Sequence, residues 1–359
     1  MAELARKIER IAKHVLWLII GLFFRKKTPP PLPINFNSLS SVLVIRPDRL
    51  GDVVLSTPVY ESIKNSFPHL QVTVVVRSNN APILTDNPNI DKIISFDLKN
   101  FGTTIKQLRQ NRFDIAFTLN KKFSAISSLL ALISKAKHKI SYAHDETVWL
   151  YDIRLPIDNQ QRHESLNNLE LINHSGLKTS SRYPRLYFNQ AEEKKITTML
   201  STIRKFPQYP LVLIKPGTRI EKWSWKAENF QIVADKLSGS KKAEVLFICA
   251  PGEEPLIDQI NQRANQKIKK LPILSVKELA LVIKKSNLLF CNHTGIMHLA
   301  SAVETPVVVI FKHGEIARWK PINTPHILLE ERKTDAVSPE VVLEKINQLL
   351  TNTPIHKTI

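Results

Sequence analysis

The stretch "SVLVIRPDRLGDVVLSTPVYESIK", residues 41–64, carries the strongest structural signal in the chain. Its apolar run at residues 42–45 predicts a buried strand, and the segment from Val53 onward predicts a helix. Asp52 therefore lies where a strand leads into the start of a helix. A phosphate-binding turn such as G-x-G-x-x-G needs several glycines at this point, and only Gly51 is present. We conclude that this turn is not built to bind an anion.

Two roles are open for the Asp52 carboxylate. In the first, it accepts hydrogen bonds from free N–H groups at the helix N-terminus, which stabilises a helix by about 0.5–2 kcal/mol. In the second, it is a catalytic base, because open α/β sheets bind their ligands at the carboxyl ends of their strands. The choice between these two roles depends on motifs farther along the chain.

Strand and helix patterns alternate after this stretch. The runs "QVTVVVR", "KIISFD" and "FDIAFTL" follow with helical patterns between them, and a second cycle begins at "YPLVLIKPGT". Alternation of this kind predicts an α/β fold with parallel sheets and helices on both faces. We predict two doubly wound, Rossmann-like domains. The predicted divisions are an amino-terminal segment and linker at 1–36, a first domain at 37–187, and a second domain with a closing helix at 188–359.

The composition restricts the function class. A chain of 359 residues with 43% hydrophobic residues can bury two ordinary cores. Its formal net charge of +19 implies an anionic partner, either nucleic acid, a membrane surface or a phosphorylated substrate. The two cysteines, Cys249 and Cys291, have neither zinc nor disulfide spacing, so we expect buried thiols in a reducing cytoplasm.

The first 33 residues form a basic and apolar segment. Its apolar run, residues 15–24, is about half the length of a membrane span, and no signal-peptidase site follows it. We predict a helix that lies in the membrane interface, with Trp17 in lipid and the flanking cations on anionic headgroups. The alternative is a helix packed on the protein's own core. The flanking cations are Arg6, Lys7, Arg10, Lys13, Arg25, Lys26 and Lys27.

Candidate ligand groups follow two strands of the second half. After "LVLIK", Thr218 offers a hydroxyl and Lys222 a positive charge. After "LLFCN", Thr294 and Gly295 begin a helix whose free N–H groups suit a phosphate, and His298 lies one turn inside that helix. The alternatives are a solvated lysine and an ordinary helix start.

A third strand, "VLFICAP", leads to Glu253 and Glu254, which suit ribose hydroxyls unless they are only surface acids. Together the three loops predict a site for a nucleotide diphosphate. We expect no metal ligands, because His293 and His298 lack the i, i+4 spacing of a helical zinc pair and no D-x-D occurs. Cationic and N–H groups would then stabilise the leaving group. Three tryptophans in this half are expected to be packing residues: Trp223, Trp225 and Trp319.

Three blocks resemble the motifs of the glycosyltransferase family 9 heptosyltransferases. They are "RPDRLGDVVLSTPVYESIK", "KPGTRIEKWSWKAENF" and "CNHTGIMHLASAVETPVVVIF". The resemblance implies a GT-B fold, with two domains facing a central cleft, and an inverting, metal-independent transfer from ADP-heptose to the lipopolysaccharide core. It implies that Asp52 is the catalytic base and that one of Glu253 and Glu254 binds the ribose. It also implies the donor-binding residues Thr218, Lys222, Thr294, Gly295 and His298.

Three positions depart from the family pattern. His293 stands where the family commonly has Asp, Lys215 stands where it often has His, and Lys222 is one residue farther from Trp225 than in the common "KRW" form. The change at His293 lies close to the expected donor sugar, so a different nucleotide sugar is the alternative donor. The resemblance implies no cofactor besides this donor.

The net charge and the amino-terminal segment, together with the donor and acceptor that the resemblance implies, predict the partners of the enzyme and the place where it works. These are a nucleotide-sugar donor, an anionic lipid-linked saccharide acceptor and a membrane surface, at the cytoplasmic face of the inner membrane. A basic nucleic-acid-binding protein is the competing class, which the net charge favours although no nucleic-acid motif is present. A nicotinamide dehydrogenase is a further alternative, but no strand is followed by G-x-G-x-x-G.

Overall fold

The structure is a computed structural model that describes residues 15–21, 23, 29–158, 160–240, 242–262, 267–312, 314–331 and 336–352. The chain divides into two compact units, Met1–Arg182 and Tyr183–Ile359. The sequence predicts this division five residues later, between residues 187 and 188. Each unit contains one sheet in which all strands are parallel, so the predicted α/β class with two parallel sheets is confirmed.

The first unit has a six-stranded sheet in the order β3-β2-β1-β4-β5-β6. Its strands are β1 Ser41–Ile45, β2 Gln71–Arg77, β3 Lys92–Phe96, β4 Ile115–Thr118, β5 His138–Tyr142 and β6 Ile153–Leu155. Its helices are α1 at residues 15–21, α2 Leu50–Val54, α3 Thr57–Ser66, α4 Phe101–Gln110, α5 Ala125–Ile133 and α6 Glu164–His174. β1 pairs with both β2 and β4, and the strand order reverses at this point. The turn after β1 is therefore at the position where open parallel sheets bind ligands.

The second unit has a five-stranded sheet in the order β11-β10-β9-β7-β8. Its strands are β7 Leu211–Lys215, β8 Glu244–Phe247, β9 Leu288–Asn292, β10 Val307–Phe311 and β11 His326–Glu330. Its helices are α7 Gln190–Ile203, α8 Ala227–Gly239, α9 Glu254–Gln262, α10 Val276–Lys284, α11 Ile296–Ala302, α12 Ile316–Trp319 and α13 Pro339–Asn352. β7 is flanked by β8 and β9, so the loops that follow these three strands lie side by side.

Continuous apolar runs explain why the sheets are buried on both faces. β7, β9 and β10 have no exposed residue, and β2 is exposed only at its two ends. Strands covered by helices on both sides need apolar residues at every position, whereas one-sided strands alternate. The predicted ends of two helices are also found. Gly176, with φ +105°, follows the end of α6, and Pro339 is the first residue of the closing helix α13.

Helix α1 packs on the first unit through Trp17, which is 5% exposed. Its ring stacks on that of Trp149, with centroids 5.6 Å apart, and meets Phe123 edge-on at 6.0 Å. The Trp149 indole N–H donates a hydrogen bond to the Trp17 carbonyl at 3.1 Å. A side chain at Gly21 would collide with Trp149, so glycine permits this close approach. The prediction that Trp17 inserts into lipid is therefore wrong, because its ring is already buried against two aromatic rings.

The rest of α1 presents apolar side chains to solvent. Four of them are exposed, Val15, Leu16, Leu18 and Ile19, and Phe23, beyond the end of α1, is exposed as well. We call these five side chains the α1 apolar face. The cations that we predicted to lie on headgroups, residues 6–13 and 25–27, fall outside the described residues. Within the described ranges, no helix is both long and apolar enough to cross a membrane.

Candidate functional site

The turn after β1 places Asp52 at the third position of α2. Its carboxylate accepts no hydrogen bond from the N–H groups of α2, and Arg49, at the N-cap, makes no side-chain cap either. Among the described residues, the hydrogen bond to the Asp52 carboxylate comes from Arg46, whose Nη2 lies 3.3 Å from Oδ1. The hydrogen-bonding cap that we considered for Asp52 is therefore absent from α2, although Asp52 lies in its first turn, where a carboxylate also complements the helix dipole.

Carboxylates crowd around the Arg46 side chain. Arg46 is bound by Glu164 at 2.9 Å, by Asp52 at 3.3 Å and more distantly by Asp48 at 3.6 Å. Asn120 Nδ2 holds both oxygens of Asp48 at 3.0 Å. One guanidinium thus faces three carboxylates, and this small region carries excess negative charge.

The environment makes Asp52 a better base than an exposed aspartate. Burial raises the pKa of the Asp52 carboxyl to about 6, against the opposing effect of Arg46 and with help from Asp48 and Glu164. The Asp52 side chain still keeps 22% of its surface exposed, so a substrate hydroxyl can reach it. A carboxylate with a pKa near 6 is ionised at neutral pH and accepts a proton more readily than a free aspartate.

In the second unit, a buried asparagine fixes the loop that follows β7. Asn292, the last residue of β9, donates from Nδ2 to the Pro216 carbonyl at 2.6 Å and accepts from the Trp225 N–H at 3.0 Å. Lys312 Nζ donates to the Ser224 carbonyl at 3.1 Å. The loop that carries Thr218 and Lys222 is thus held at both ends against the sheet.

Thr218 and Lys222 differ in how they are held in that loop. The Thr218 hydroxyl donates to the Ile220 carbonyl at 2.8 Å. Lys222 lies in a short 3-10 turn, Glu221–Trp223, and its side chain is exposed. The lysine is therefore accessible to an anionic ligand, and its exposure equally fits the solvated lysine that the sequence left as the alternative.

The acids after β8 are partly engaged by protein groups. Glu253 accepts from Lys215 Nζ through both oxygens, at 2.7 and 2.6 Å, and from the Ala250 N–H at 3.0 Å. Glu254 accepts from the Gly252 N–H at 2.8 Å. Lys215, one of the departures from the family pattern, thus has a defined role as the partner of Glu253.

The segment after β9 contains Thr294, Gly295 and His298. Gly295 is the N-cap of α11, and His298 is buried within its first turn. The Thr294 hydroxyl oxygen is buried and has no hydrogen-bond partner among the described residues. The ring of His293, where the family commonly has Asp, stacks on Phe311 with centroids 4.1 Å apart. This stacking fixes the imidazole at the end of β9.

Trp225 and the two cysteines are buried in the second unit. Trp225 is buried and packs edge-on against Phe230 and Phe290, which confirms its packing role. Cys249 and Cys291 are buried free thiols, as expected, and burial raises the pKa of Cys291 to about 12. Among the described residues, no group of three His, Cys, Asp or Glu side chains could hold a metal ion.

The sequence analysis did not identify Arg46, Glu164 or Asn292 as site residues. Arg46 binds Glu164, which lies 118 positions away in the sequence, and Asn292 binds the Pro216 carbonyl, which lies 76 positions away. The available signal was a polar residue directly at the end of a buried apolar run, where a side chain must find a polar partner. Arg46, Lys215 and Asn292 all have this position.

Two all-parallel α/β units, with candidate ligand groups at the carboxyl ends of their strands, are the architecture of the GT-B fold class. The sequence model of glycosyltransferase family 9 (heptosyltransferase) matches residues 102–348. The chain therefore belongs to glycosyltransferase family 9, and the predicted family and enzyme class are confirmed.

Relatives and solved structures agree with this membership. Lipopolysaccharide heptosyltransferase 3 of Escherichia coli K12 is 26% identical over 76% of this chain and 82% of its own. The lipopolysaccharide core heptosyltransferase OpsX of Haemophilus influenzae is 24% identical over 81% and 84% of the two chains. The family 9 glycosyltransferase of Veillonella parvula is similar in structure, with a TM-score of 0.80, 21% identity and coverage of 88% and 98%. ADP-heptose LPS heptosyltransferase II of E. coli has a TM-score of 0.74, 18% identity and coverage of 87% and 98%.

Proposed function

We propose that this protein transfers a heptose from ADP-heptose to an anionic lipopolysaccharide core acceptor, with inversion at the anomeric carbon and without a metal ion. The observation that carries the proposal is Asp52. Its carboxylate follows the central strand β1, is bound through Oδ1 by Arg46, and has a pKa of about 6. This is the arrangement that a general base needs to accept a proton from a sugar hydroxyl near neutral pH.

Asp52 acts on the acceptor. A hydroxyl oxygen of the acceptor attacks the anomeric carbon of the heptose while the bond to the diphosphate oxygen breaks on the opposite face. The hydroxyl proton passes to Asp52, and the electron pair of the broken bond leaves with ADP. Because positive charge develops on the sugar before the proton is lost, a moderately basic carboxylate is sufficient.

Groups of the second unit bind the donor. Lys222 is exposed and cationic, so it offsets the diphosphate charge that develops as the bond breaks. Thr294 and Gly295 follow a strand end where hydroxyl and N–H donors suit phosphate oxygens, and His298 supports them from α11. The Thr218 hydroxyl joins them by exchanging its hydrogen bond to the Ile220 carbonyl for one to a phosphate oxygen.

The ribose is bound by the acids after β8. We assign this contact to Glu253, whose carboxylate is already fixed by Lys215 and the Ala250 N–H. Oε2 already accepts from both Lys215 and the Ala250 N–H, whereas Oε1 accepts from Lys215 alone and keeps capacity for a ribose hydroxyl. Glu254 is the alternative, since it accepts from Gly252 alone among the described contacts.

Names of relatives support the choice of donor and acceptor. One structural neighbour is described as an ADP-heptose LPS heptosyltransferase and another as a heptosyltransferase with ADP. The curated relatives are lipopolysaccharide heptosyltransferases. His293 favours the alternative of a different sugar on the same type of donor, because an imidazole stacked on Phe311 cannot accept hydrogen bonds as a carboxylate does.

The proposed location is the cytoplasmic face of the inner membrane. The α1 apolar face is exposed, and the cations at residues 6–13 and 25–27 flank it in sequence. We propose that this face enters the membrane interface while Trp17 and Trp149 hold the helix on the first unit. One short apolar face binds weakly, but each cation near an anionic surface adds about 1 kcal/mol, so the attachment is stable and sensitive to salt.

A panel of donors tests the proposed reaction. Purified protein is incubated with heptose-deficient lipopolysaccharide and with ADP-heptose, ADP-mannose, UDP-glucose or GDP-mannose, and glycosylated product is measured by mass spectrometry. Thermal shifts with ADP, UDP, GDP, NAD and an oligonucleotide report binding separately. We expect ADP-heptose to give product and ADP to give the largest shift. Product from UDP-glucose or GDP-mannose alone would contradict the proposed donor.

A further inference from the structure

Arg46 is a completely enclosed guanidinium whose orientation is fixed. It is 1% exposed, and its Nη1 donates to the Leu119 carbonyl at 2.8 Å. Its Nη2 donates to both Glu164 Oε1, at 2.9 Å, and Asp52 Oδ1, at 3.3 Å, and its Nε points at the Asp52 carbonyl at 3.4 Å. A planar group held from three sides cannot rotate, so it defines where Asp52 Oδ1 lies.

Glu164, the second carboxylate bound by Arg46, is distant from Asp52 in the sequence. It is the first residue of α6, it is 2% exposed, and its Oε1 accepts from the same Nη2 atom that binds Asp52. Its other oxygen lies 3.5 Å from Asn167 Nδ2. A buried carboxylate destabilises the fold by several kcal/mol unless it is paired. Arg46 and Glu164 neutralise each other's buried charge, and this pairing does not require Asp52.

The pairing changes what Arg46 does to Asp52. An arginine alone beside an aspartate stabilises the carboxylate and makes it a weak base. Glu164 already compensates the charge of Arg46, so Arg46 can orient Asp52 without strongly suppressing its affinity for a proton. Oδ2 of Asp52 has no hydrogen-bond partner within the described part of the chain, and this oxygen remains available to a substrate.

We propose that Arg46 and Glu164 are positioning residues for the reaction, with Arg46 fixing Oδ1 of Asp52 and Glu164 cancelling the Arg46 charge, so that Oδ2 accepts the acceptor proton. This inference rests on the proposed role of Asp52 as the base. Neither residue touches a substrate in this account, and both act through Asp52.

The charged groups that face the Asp52 carboxylate set the expected direction of change. They are Arg46, Asp48 and Arg49 from the turn after β1, and Glu164 from α6. Burial is the largest influence and raises the pKa of Asp52, and Arg46 and Arg49 lower it, whereas Asp48 and Glu164 raise it. Removal of the Glu164 charge must therefore lower the pKa of Asp52.

The variant Glu164→Gln keeps the shape of the side chain and removes its charge. Its effect is read in two ways: carboxyl NMR titration of Asp52, assigned by comparison with Asp52→Asn, and the acid limb of the pH profile of kcat/KM. We expect both to move to lower pH by about one pH unit. The matched control is Glu170→Gln on the same helix, whose carboxylate pairs with the partly exposed Arg162, and it should leave both midpoints in place.

A second variant tests the orienting role. Arg46→Lys keeps the positive charge but loses the forked contact, so we expect kcat to fall at least tenfold while the KM for the donor changes less than twofold. If donor affinity and kcat fall by the same factor in Arg46→Lys, the proposed orienting role of Arg46 is wrong. This variant also tests the inference if Glu164→Gln does not fold.

The NMR readout separates this inference from the proposed reaction. If the wild type transfers heptose but Glu164→Gln titrates like Glu170→Gln, the positioning role of Glu164 is wrong and the proposed function stands. If no donor gives product but the Asp52 titration moves as expected, the electrostatic coupling is confirmed and the proposed function fails.

Discussion

Lys215 and Glu253 form a two-point ion pair at the carboxyl edge of the second sheet, with Nζ 2.7 Å from Oε1 and 2.6 Å from Oε2. Lys215 is the last residue of β7, and Glu253 follows β8. The pair joins the loops after two neighbouring strands. The pair fixes the acid that we assign to the ribose, and it uses Lys215 at the position where the family resemblance leads us to expect His.

Lys215→Met should destabilise the protein, because it leaves a partly buried carboxylate without its cation. We expect the free energy of unfolding to fall by about 2 kcal/mol, below the range for fully buried pairs because Glu253 is partly exposed. The affinity for ADP should fall as well. The control is Lys195→Met, which breaks an exposed pair with Glu278 and should leave both the unfolding midpoint and ADP affinity unchanged. Equal effects of the two variants in denaturant titrations would contradict the role of Lys215.

The pH dependence of transfer follows from Asp52. The base must be ionised, and its pKa is raised to about 6, so kcat/KM should be level above pH 7 and fall about tenfold per pH unit below pH 6. An ordinary aspartate would place this fall near pH 4. Steady-state rates between pH 5 and 8, with enzyme stability checked at each pH, measure it. A level profile down to pH 5 would show that Asp52 is not the titrating base.

Lys222→Ala should weaken donor binding and slow transfer together, by about 10–100-fold in kcat/KM, since the lysine offsets charge on the leaving diphosphate. Lys226→Ala is the control, because Lys226 is also exposed, lies four residues away and makes no side-chain cap to α8. Chelators should not change the wild-type rate. Activity that EDTA abolishes and magnesium restores would contradict the metal-independent mechanism.

Membrane binding should depend on the α1 apolar face. The double variant Leu16→Ser, Phe23→Ser should reduce sedimentation with anionic liposomes about tenfold at low salt and leave the thermal midpoint unchanged. Leu98→Ser is the control, since Leu98 is an exposed apolar residue of the same unit, at 69% exposure, outside α1. Point substitutions are preferable to removal of residues 1–33, which would strip Trp17 from Trp149 and expose a new apolar surface. Equal sedimentation of both variants would show that this face does not bind lipid.

The parallel strands were the most predictable part of the fold. The run "QVTVVVR" coincides with β2, because a strand buried on both faces is apolar at every inner position. We did not identify β5, whose sequence "HKISY" mixes polar and apolar residues, β6, which has only three residues, or β11, which is partly exposed along its length. None of the three contains an uninterrupted apolar run of the kind that marks β2, β7 or β10.

The position of Asp52 was predictable, but its surroundings were not. A strand-to-helix transition is visible within a few residues, whereas Arg46 and Glu164 come together only through tertiary folding. The prediction for Trp17 was wrong for a different reason. All residues around it are apolar, so the sequence contains no polar stripe to show which side of α1 faces the protein.

The central claim is that Asp52 is the general base of a heptosyl transfer, and the variant Asp52→Asn tests it most directly. A single series measures product formation from ADP-heptose and heptose-deficient lipopolysaccharide, the Kd for ADP, and the unfolding midpoint. We predict that turnover falls by about 10²–10⁴-fold, while the Kd changes less than twofold.

The same series checks the electrostatics through stability. A folded-state pKa above the ordinary value means that ionised Asp52 destabilises the folded state above pH 6, by about 1.4 kcal/mol for each unit of difference. Removal of this charge offsets the loss of the 3.3 Å contact with Arg46, so the unfolding midpoint at pH 7.5 should stay the same or rise. Wild-type turnover in Asp52→Asn, with ADP binding and stability intact, would contradict the account.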